Sequence, residues 1–173
     1  MERTIVIVDD DKQTMPFYVQ ALEFAQYEVR HFVYANSALN KIDSEKLAVD
    51  LWIIDVTMPP GNYNMAKTEN GILTGLYFAV DIKKAYPEVP IILFSASPLP
   101  PVTKNARALA RKLPKCSYIS KLAYPPHTLV EYVDYFFDKG RFKEGRLRKI
   151  YDSLILEPNF SGIGIDLKKL MDK

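Results

Sequence analysis

The sequence predicts an α/β fold built on a parallel sheet with helices over both faces. Three observations predict it. Five short apolar runs recur along the chain, most of them rich in β-branched residues. Stretches that read as helices lie between successive runs. Turn formers such as Pro59-Pro60-Gly61, Asn70-Gly71 and Pro87 punctuate the boundaries. Strands alternating with helices in this way favour crossover connections, and hence a sheet buried on both sides.

In chain order, Ile5-Val6-Ile7-Val8 is a β-branched run bounded by acids and reads as a strand buried on both faces. Residues 14–27 carry apolar side chains at helical spacing, among them Phe17, Leu22, Phe24 and Ala25. Residues 28–32 form a second strand and residues 37–46 a short helix. Leu51-Trp52-Ile53-Ile54 is a third strand, running into Asp55. A long loop occupies residues 56–74. A helix follows over 76–86, stopped by Pro87. Ile91-Ile92-Leu93-Phe94 is the fourth strand, with Ser95 after it. Pro98, Pro100 and Pro101 stiffen the next connection, and a helix spans 102–113. Cys116 to Ser120 is the fifth strand, ending at Lys121, and a last helix covers 127–137.

The chain has 173 residues, enough for one domain with an appendage. Basic and acidic residues number 23 and 21, a balance that neither demands nor excludes nucleic acid. Cys116 is the only cysteine, which excludes an internal disulfide and suits a buried thiol. No apolar run is long enough to span a bilayer. Met1-Glu2-Arg3-Thr4 leads straight into a short apolar run without the pattern of a signal peptide, so a cytoplasmic location is expected.

Residues 1–138 are expected to form the domain. Residues 139–173 would form a helical extension too short for a core of its own. Within the extension Leu147, Ile150, Tyr151, Leu154 and Ile155 make one apolar stripe at helical spacing, and Pro158 ends it. Arg141, Lys143, Arg146, Arg148 and Lys149 give the same segment a basic cluster.

In open parallel sheets, ligands bind beyond the carboxyl ends of the strands. Here the first strand ends in Asp9-Asp10-Asp11, the third in Asp55, the fourth in Ser95 and the fifth in Lys121. Crowded carboxylates repel one another, and a hard divalent cation relieves the repulsion. Mg²⁺ fits best, since it binds through a few carboxylates and engages phosphate oxygens. A carboxylate beside such an ion can attack phosphorus and form an acyl phosphate. An ammonium and a hydroxyl would steady the charge on the transferred group. Asp55, Lys121 and Ser95 supply nucleophile, cation and hydroxyl.

These motifs resemble those of the response-regulator receiver domain over roughly the first 137 residues. Ile5 to Asp11 looks like the family's opening strand and acidic pocket, and Asp55-Val56-Thr57-Met58-Pro59 like its phosphorylation motif. Leu93-Phe94-Ser95-Ala96 is similar to its switch-hydroxyl segment. Tyr118-Ile119-Ser120-Lys121 is similar to its switch aromatic and lysine. The resemblance implies a flavodoxin-like, doubly wound five-stranded sheet of order 2-1-3-4-5. It implies that Asp10 and Asp55 bind metal by their side chains, Thr57 by its backbone carbonyl, and Asp9 mainly through a metal-bound water. The cofactor would be Mg²⁺, with Mn²⁺ as a substitute. Ser95 and Tyr118 would be the switch residues. A histidine kinase or phosphotransfer protein would donate the phosphoryl group, and an output protein or a second copy would read the altered surface. The chain would phosphorylate and dephosphorylate itself without being an enzyme toward outside substrates.

Three departures stand out. The loop after Asp55 is longer than usual by about ten residues, over 61–70, either as a tolerated surface insertion or as a border restricting access to the site. Serine stands at 95 where threonine is commoner, and Leu122 stands where proline is usual. His31 and His127 match no metal or triad spacing and read as surface or packing residues. Three alternatives to a phosphorylated switch remain at this stage. They are a pseudo-receiver that binds partners without phosphorylation, a nucleic-acid binder using the basic tail, and a metal-dependent phosphatase. Nucleic acid and membrane are not expected partners.

Overall fold

The computed structural model describes residues 3–139. Five strands and five helices alternate: β1 (Thr4–Val8), α1 (Met15–Phe24), β2 (Glu28–Phe32), α2 (Ala35–Glu45), β3 (Leu51–Asp55), α3 (Thr74–Ala85), β4 (Ile91–Ser95), α4 (Pro100–Lys112), β5 (Cys116–Ser120) and α5 (Pro126–Lys139). The sheet order is β2-β1-β3-β4-β5. Every adjacent pair is parallel. This is the flavodoxin-like order expected.

The three central strands are buried along their whole length, whereas β2 and β5 are only partly covered. That difference follows from position, because an edge strand has a neighbour on one side only. Alternate residues serve opposite faces. Val6, Val8, Trp52, Ile54, Ile91 and Leu93 share one core with Ala38 and Ile42 of α2, Phe78, Ala79 and Ile82 of α3, and Val102 and Ala106 of α4. On the other face Tyr18 of α1 meets Phe94 edge-on at 5.3 Å, and α1 packs against α5. Trp52 anchors the first core, edge-on to Phe78 at 5.8 Å, and its buried Nε1 has no hydrogen-bond partner among the described residues.

Three sequence expectations are corrected. Phe17 and Phe24 do not mark the buried face of α1. They are 63% and 77% exposed, and Met15, Tyr18 and Leu22 are buried instead. Pro100 and Pro101 do not lie in the connection before α4 but form its first turn. A first-turn proline is favourable, because its missing N–H would have no helical partner and its fixed φ suits the helix. Helix α3 likewise begins at Thr74, two residues before the expected start.

Cys116 is buried and unpaired, and burial pushes its thiol up to about 12. Among the described residues no helix is long and apolar enough to cross a membrane. The apolar stripe and basic cluster expected in the extension lie outside the described residues.

Candidate functional site

The register of the sheet assembles the site. Asp55 closes β3 beside Phe94, and Ser95 pairs with Ser120 one step further along the same rim. Asp9 and Asp10 follow β1 on the other side of β3. Ligand atoms of Asp9, Asp10 and Asp55 lie within 4.8 Å of one another.

Lys121 holds the centre. Its Nζ lies 2.7 Å from Asp9 Oδ2 and donates to Asp55 Oδ2 at 2.8 Å. Its backbone N–H donates to the Ser95 carbonyl at 2.9 Å. The Asp9 contact is a buried ion pair, and Oδ2 has no further partner among the described residues. The other oxygen, Asp9 Oδ1, accepts the Asp11 N–H at 3.0 Å. Thr57 follows Asp55 and gives it a second contact, its N–H reaching Oδ1 at 3.1 Å. The Thr57 hydroxyl turns away to the Ile72 carbonyl at 3.2 Å.

The electrostatics follow from burial. Asp55 is 6% exposed and Asp9 1%. Burial first, and then the Asp9 charge, push the Asp55 carboxyl up to about 7, although Lys121 and the Thr57 N–H pull the other way. Burial likewise raises Asp9 despite Lys121. Burial works against the Lys121 ammonium, but the Asp55 and Asp9 carboxylates outweigh it and hold its pKa above the ordinary lysine value. Carboxylates thus outnumber cations in a nearly dry rim. The all-oxygen donor set of Asp9, Asp10 and Asp55 suits a hard divalent ion such as Mg²⁺.

The three consecutive acids divide their work. Asp9 and Asp10 join the cluster, whereas Asp11 turns to the start of α1. Its Oδ1 accepts the Gln13 and Thr14 N–H groups at 2.9 and 3.0 Å, and its Oδ2 accepts the Thr14 hydroxyl. Those bonds, with the Thr14 hydroxyl foremost, hold the Asp11 carboxyl below the usual range.

Ser95 is fully buried, and its Oγ accepts the Ser97 N–H at 3.2 Å. Tyr118 is half-buried on β5, with the Arg107 guanidinium of α4 over its ring at 5.9 Å. His31 is a packing residue as expected, but with a stated task. Its Nε2 meets the Asp9 carbonyl at 2.9 Å and fixes the backbone behind the acidic pair.

Gly75 was not legible as a site residue. A Cβ there would lie 1.8 Å from the Asp55 carbonyl oxygen, and its N–H donates to Val56 at 3.0 Å. Helix α3 therefore starts in contact with the backbone of the central aspartate. Only a glycine allows so close an approach.

The long loop is organised along α3. Tyr63 donates its hydroxyl to Asp81 at 3.0 Å and tilts against Tyr77 with ring centroids 6.5 Å apart. Thr68 is fully buried and bonds the Asn64 and Met65 carbonyls. The Tyr63 contacts reach α3 about 3 Å beyond Gly75 at Tyr77 and about 9 Å beyond it at Asp81, at 1.5 Å per residue.

A family model described as the response regulator receiver domain matches residues 5–122. Solved structures agree in fold. The chain is 22% identical to a BeF3-activated DrrB receiver domain, covering 80% of itself and 99% of that chain with a TM-score of 0.60. Against the response regulator DrrB of Thermotoga maritima, an OmpR/PhoB homolog, identity is 21%, coverage 84% and 58%, and TM-score 0.61. A CheY-like receiver domain protein from Methanospirillum hungatei JF-1 gives 23% identity, coverage of 80% and 96%, and a TM-score of 0.61. At such identities these neighbours speak to the fold alone. No curated protein matches the sequence.

Proposed function

The chain belongs to the response regulator receiver domain family of two-component systems, and from that premise we propose that Asp55 is its phosphoacceptor. The observation that carries the reading is Lys121 Nζ bridging Asp9 and Asp55 beside Asp10 at the rim of the sheet.

The Asp55 carboxylate attacks the phosphorus of a phosphohistidine on a histidine kinase or phosphotransfer protein. An oxygen–phosphorus bond forms, the nitrogen–phosphorus bond breaks, and the imidazole leaves with the electron pair. Asp55 must be ionised to attack. The Lys121 ammonium favours that form and then meets the phosphoryl oxygens. The Thr57 N–H orients the carboxylate, and the Ser95 hydroxyl, whose oxygen accepts the Ser97 N–H, donates its proton in a hydrogen bond to a phosphoryl oxygen. Asp9, Asp10, Asp55 and the Thr57 carbonyl would hold Mg²⁺, or Mn²⁺ in its place. The ion supplies positive charge that offsets the carboxylates and the phosphoryl oxygens. Tyr118 responds to the move of Ser95. The surface around α4, β5 and α5 then changes its affinity for an output protein or a second copy.

On this reading the chain acts on itself and is not an enzyme toward outside substrates. It works in the cytoplasm without nucleic acid. Incubation with Mg²⁺ and acetyl phosphate should add one phosphoryl group to the intact mass. Asp55→Asn should abolish the addition, and undiminished labelling of that variant would refute the assignment.

A further inference from the structure

We propose that the groove between α3 and α4 is a docking site for an acidic amphipathic helix, with the long loop after Asp55 bracing one of its sides through Tyr63. The groove is a depression of about 600 Å³, and none of the site residues lines it. Its floor is apolar, from Leu73, Leu76, Val80 and Leu109. Along α4 its lining residues recur at 105, 108, 109 and 112, the spacing of one helical stripe. Along α3 the lining runs from Leu73 to Lys84, which at 1.5 Å per residue is about 16 Å, or three turns of a docked helix.

Charge selects the occupant. No Asp or Glu occurs between Glu88 and Glu131, a span that includes all of α4. Lys104, Arg107, Arg111 and Lys112 are exposed on α4, and none forms an ion pair among the described residues. Lys112 itself lines the groove, as does Lys84 of α3. The one acid in the lining, Asp81, is already engaged. It pairs with Lys84 at 2.8 Å and accepts the Tyr63 hydroxyl at 3.0 Å. Tyr63, which comes from the loop, also tilts against Tyr77 of the lining. The loop thus covers the opposing charge and braces an aromatic side of the groove.

A recessed apolar floor beneath a cationic ridge fits apolar anchors at i, i+3 or i+4, and i+7 with carboxylates beside them. Nucleic acid has no side chains to fill the recess. A lipid surface meets protruding residues better than recessed ones. A symmetric contact with a second copy would set the cations of α4 against themselves. The proposal concerns the unphosphorylated domain and does not rest on phosphorylation of Asp55.

The test is selection of peptides from a random display library on the full chain, followed by fluorescence anisotropy of the selected peptides. Selected sequences should be acidic with apolar residues at helical spacing. Ala108→Trp fills the groove from an exposed position and should weaken binding by about ten-fold or more. Lys112→Glu should weaken it comparably. Tyr63→Phe, which releases Asp81 from the loop, should weaken it by several-fold. Asp55→Asn should bind as the unaltered chain does, which separates this proposal from the functional reading. Selected peptides without an acidic bias, or binding undiminished by Ala108→Trp, would overturn it. Duplex DNA and phosphatidylserine vesicles are the parallel probes. Binding of either one that is lost in Lys112→Glu but untouched by Ala108→Trp would overturn it as well, as would a dimer abolished by Ala108→Trp.

Discussion

Gly75→Ala is a perturbation whose size can be worked from contacts alone. The added methyl would meet the Asp55 carbonyl oxygen at 1.8 Å, its carbon at 2.7 Å and the Val56 Cα at 2.8 Å. An ordinary contact needs a retreat of about 1.6 Å, in a region as closely packed as a crystal. That retreat takes the Gly75 N–H to Val56 bond, now 3.0 Å, beyond hydrogen-bonding range. Loss of the bond costs about 1 kcal/mol. Residual overpacking adds about 1–3 kcal/mol. The expected loss of stability is therefore about 2–4 kcal/mol, read by urea unfolding followed through the fluorescence of Trp52, the only tryptophan. The displaced backbone carries Asp55 and its Thr57 N–H contact, so labelling by acetyl phosphate should slow by about a hundred-fold, the usual effect of a 1 Å misplacement. Gly61→Ala is the control. Gly61 has φ +56, so the variant costs about 1–2 kcal/mol of backbone strain, but the nearest obstacle is the flexible Asn36 amide at 3.1 Å. Labelling should be unchanged there. A Gly75→Ala protein within 0.5 kcal/mol of the parent, labelled at the parent rate, would refute the argument.

Asp55→Asn should stabilise the metal-free protein at neutral pH. The folded carboxyl stands near 7 against the ordinary 3.8, so its contribution is fully present below about 3.8 and is lost as pH rises through about 7. The ceiling on that loss is about 4 kcal/mol. Unfolding curves from pH 4 to 8 should diverge between parent and variant from about pH 4 upward, and saturating Mg²⁺ should narrow the gap; parallel curves would contradict the burial argument. Lys121→Met leaves Asp9 and Asp55 crowded without their cation, so chemical denaturation at pH 8 should show a loss of about 3–5 kcal/mol that shrinks on acidification. Asp11→Ala removes the bonds to the start of α1 and should cost about 1 kcal/mol by thermal melting, with acetyl phosphate labelling preserved. A loss of labelling there would return Asp11 to the chemical cluster.

The architecture was legible because its signals are local. Ile5 to Val8, Leu51 to Ile54 and Ile91 to Phe94 are unbroken apolar runs, and only the interior of a covered sheet accommodates three of them. The polar residues that end those runs were legible for the same reason, since strand ends in a parallel sheet share one rim. Helix α1 misled because Phe17 and Phe24 are as apolar as Leu22, and periodicity alone cannot say which stripe meets the sheet. Pro100 and Pro101 misled because proline is compatible with both a connection and a first helical turn. Gly75 could not be found, because its constraint is a contact with the backbone of Asp55, twenty residues earlier. The division of labour among Asp9, Asp10 and Asp11 was equally hidden, since it depends on where each carboxylate turns after the strand ends.

Lys121 touches more than two acids. Through its side chain and its backbone N–H it ties the ends of β1, β3 and β4 to the end of edge strand β5. An edge strand is where a sheet frays, and fraying costs only the local opening free energy. Here one fraying event at β5 would withdraw the ammonium and leave each carboxylate with a single backbone N–H, from Asp11 or Thr57, and water. Hydrogen exchange at the Lys121 amide therefore measures how often the rim opens. It should quicken as the carboxylates charge up and repel one another, and slow when they are protonated. Breathing of the edge strand and the electrostatic state of the site are one motion, and the amide of Lys121 is its clock.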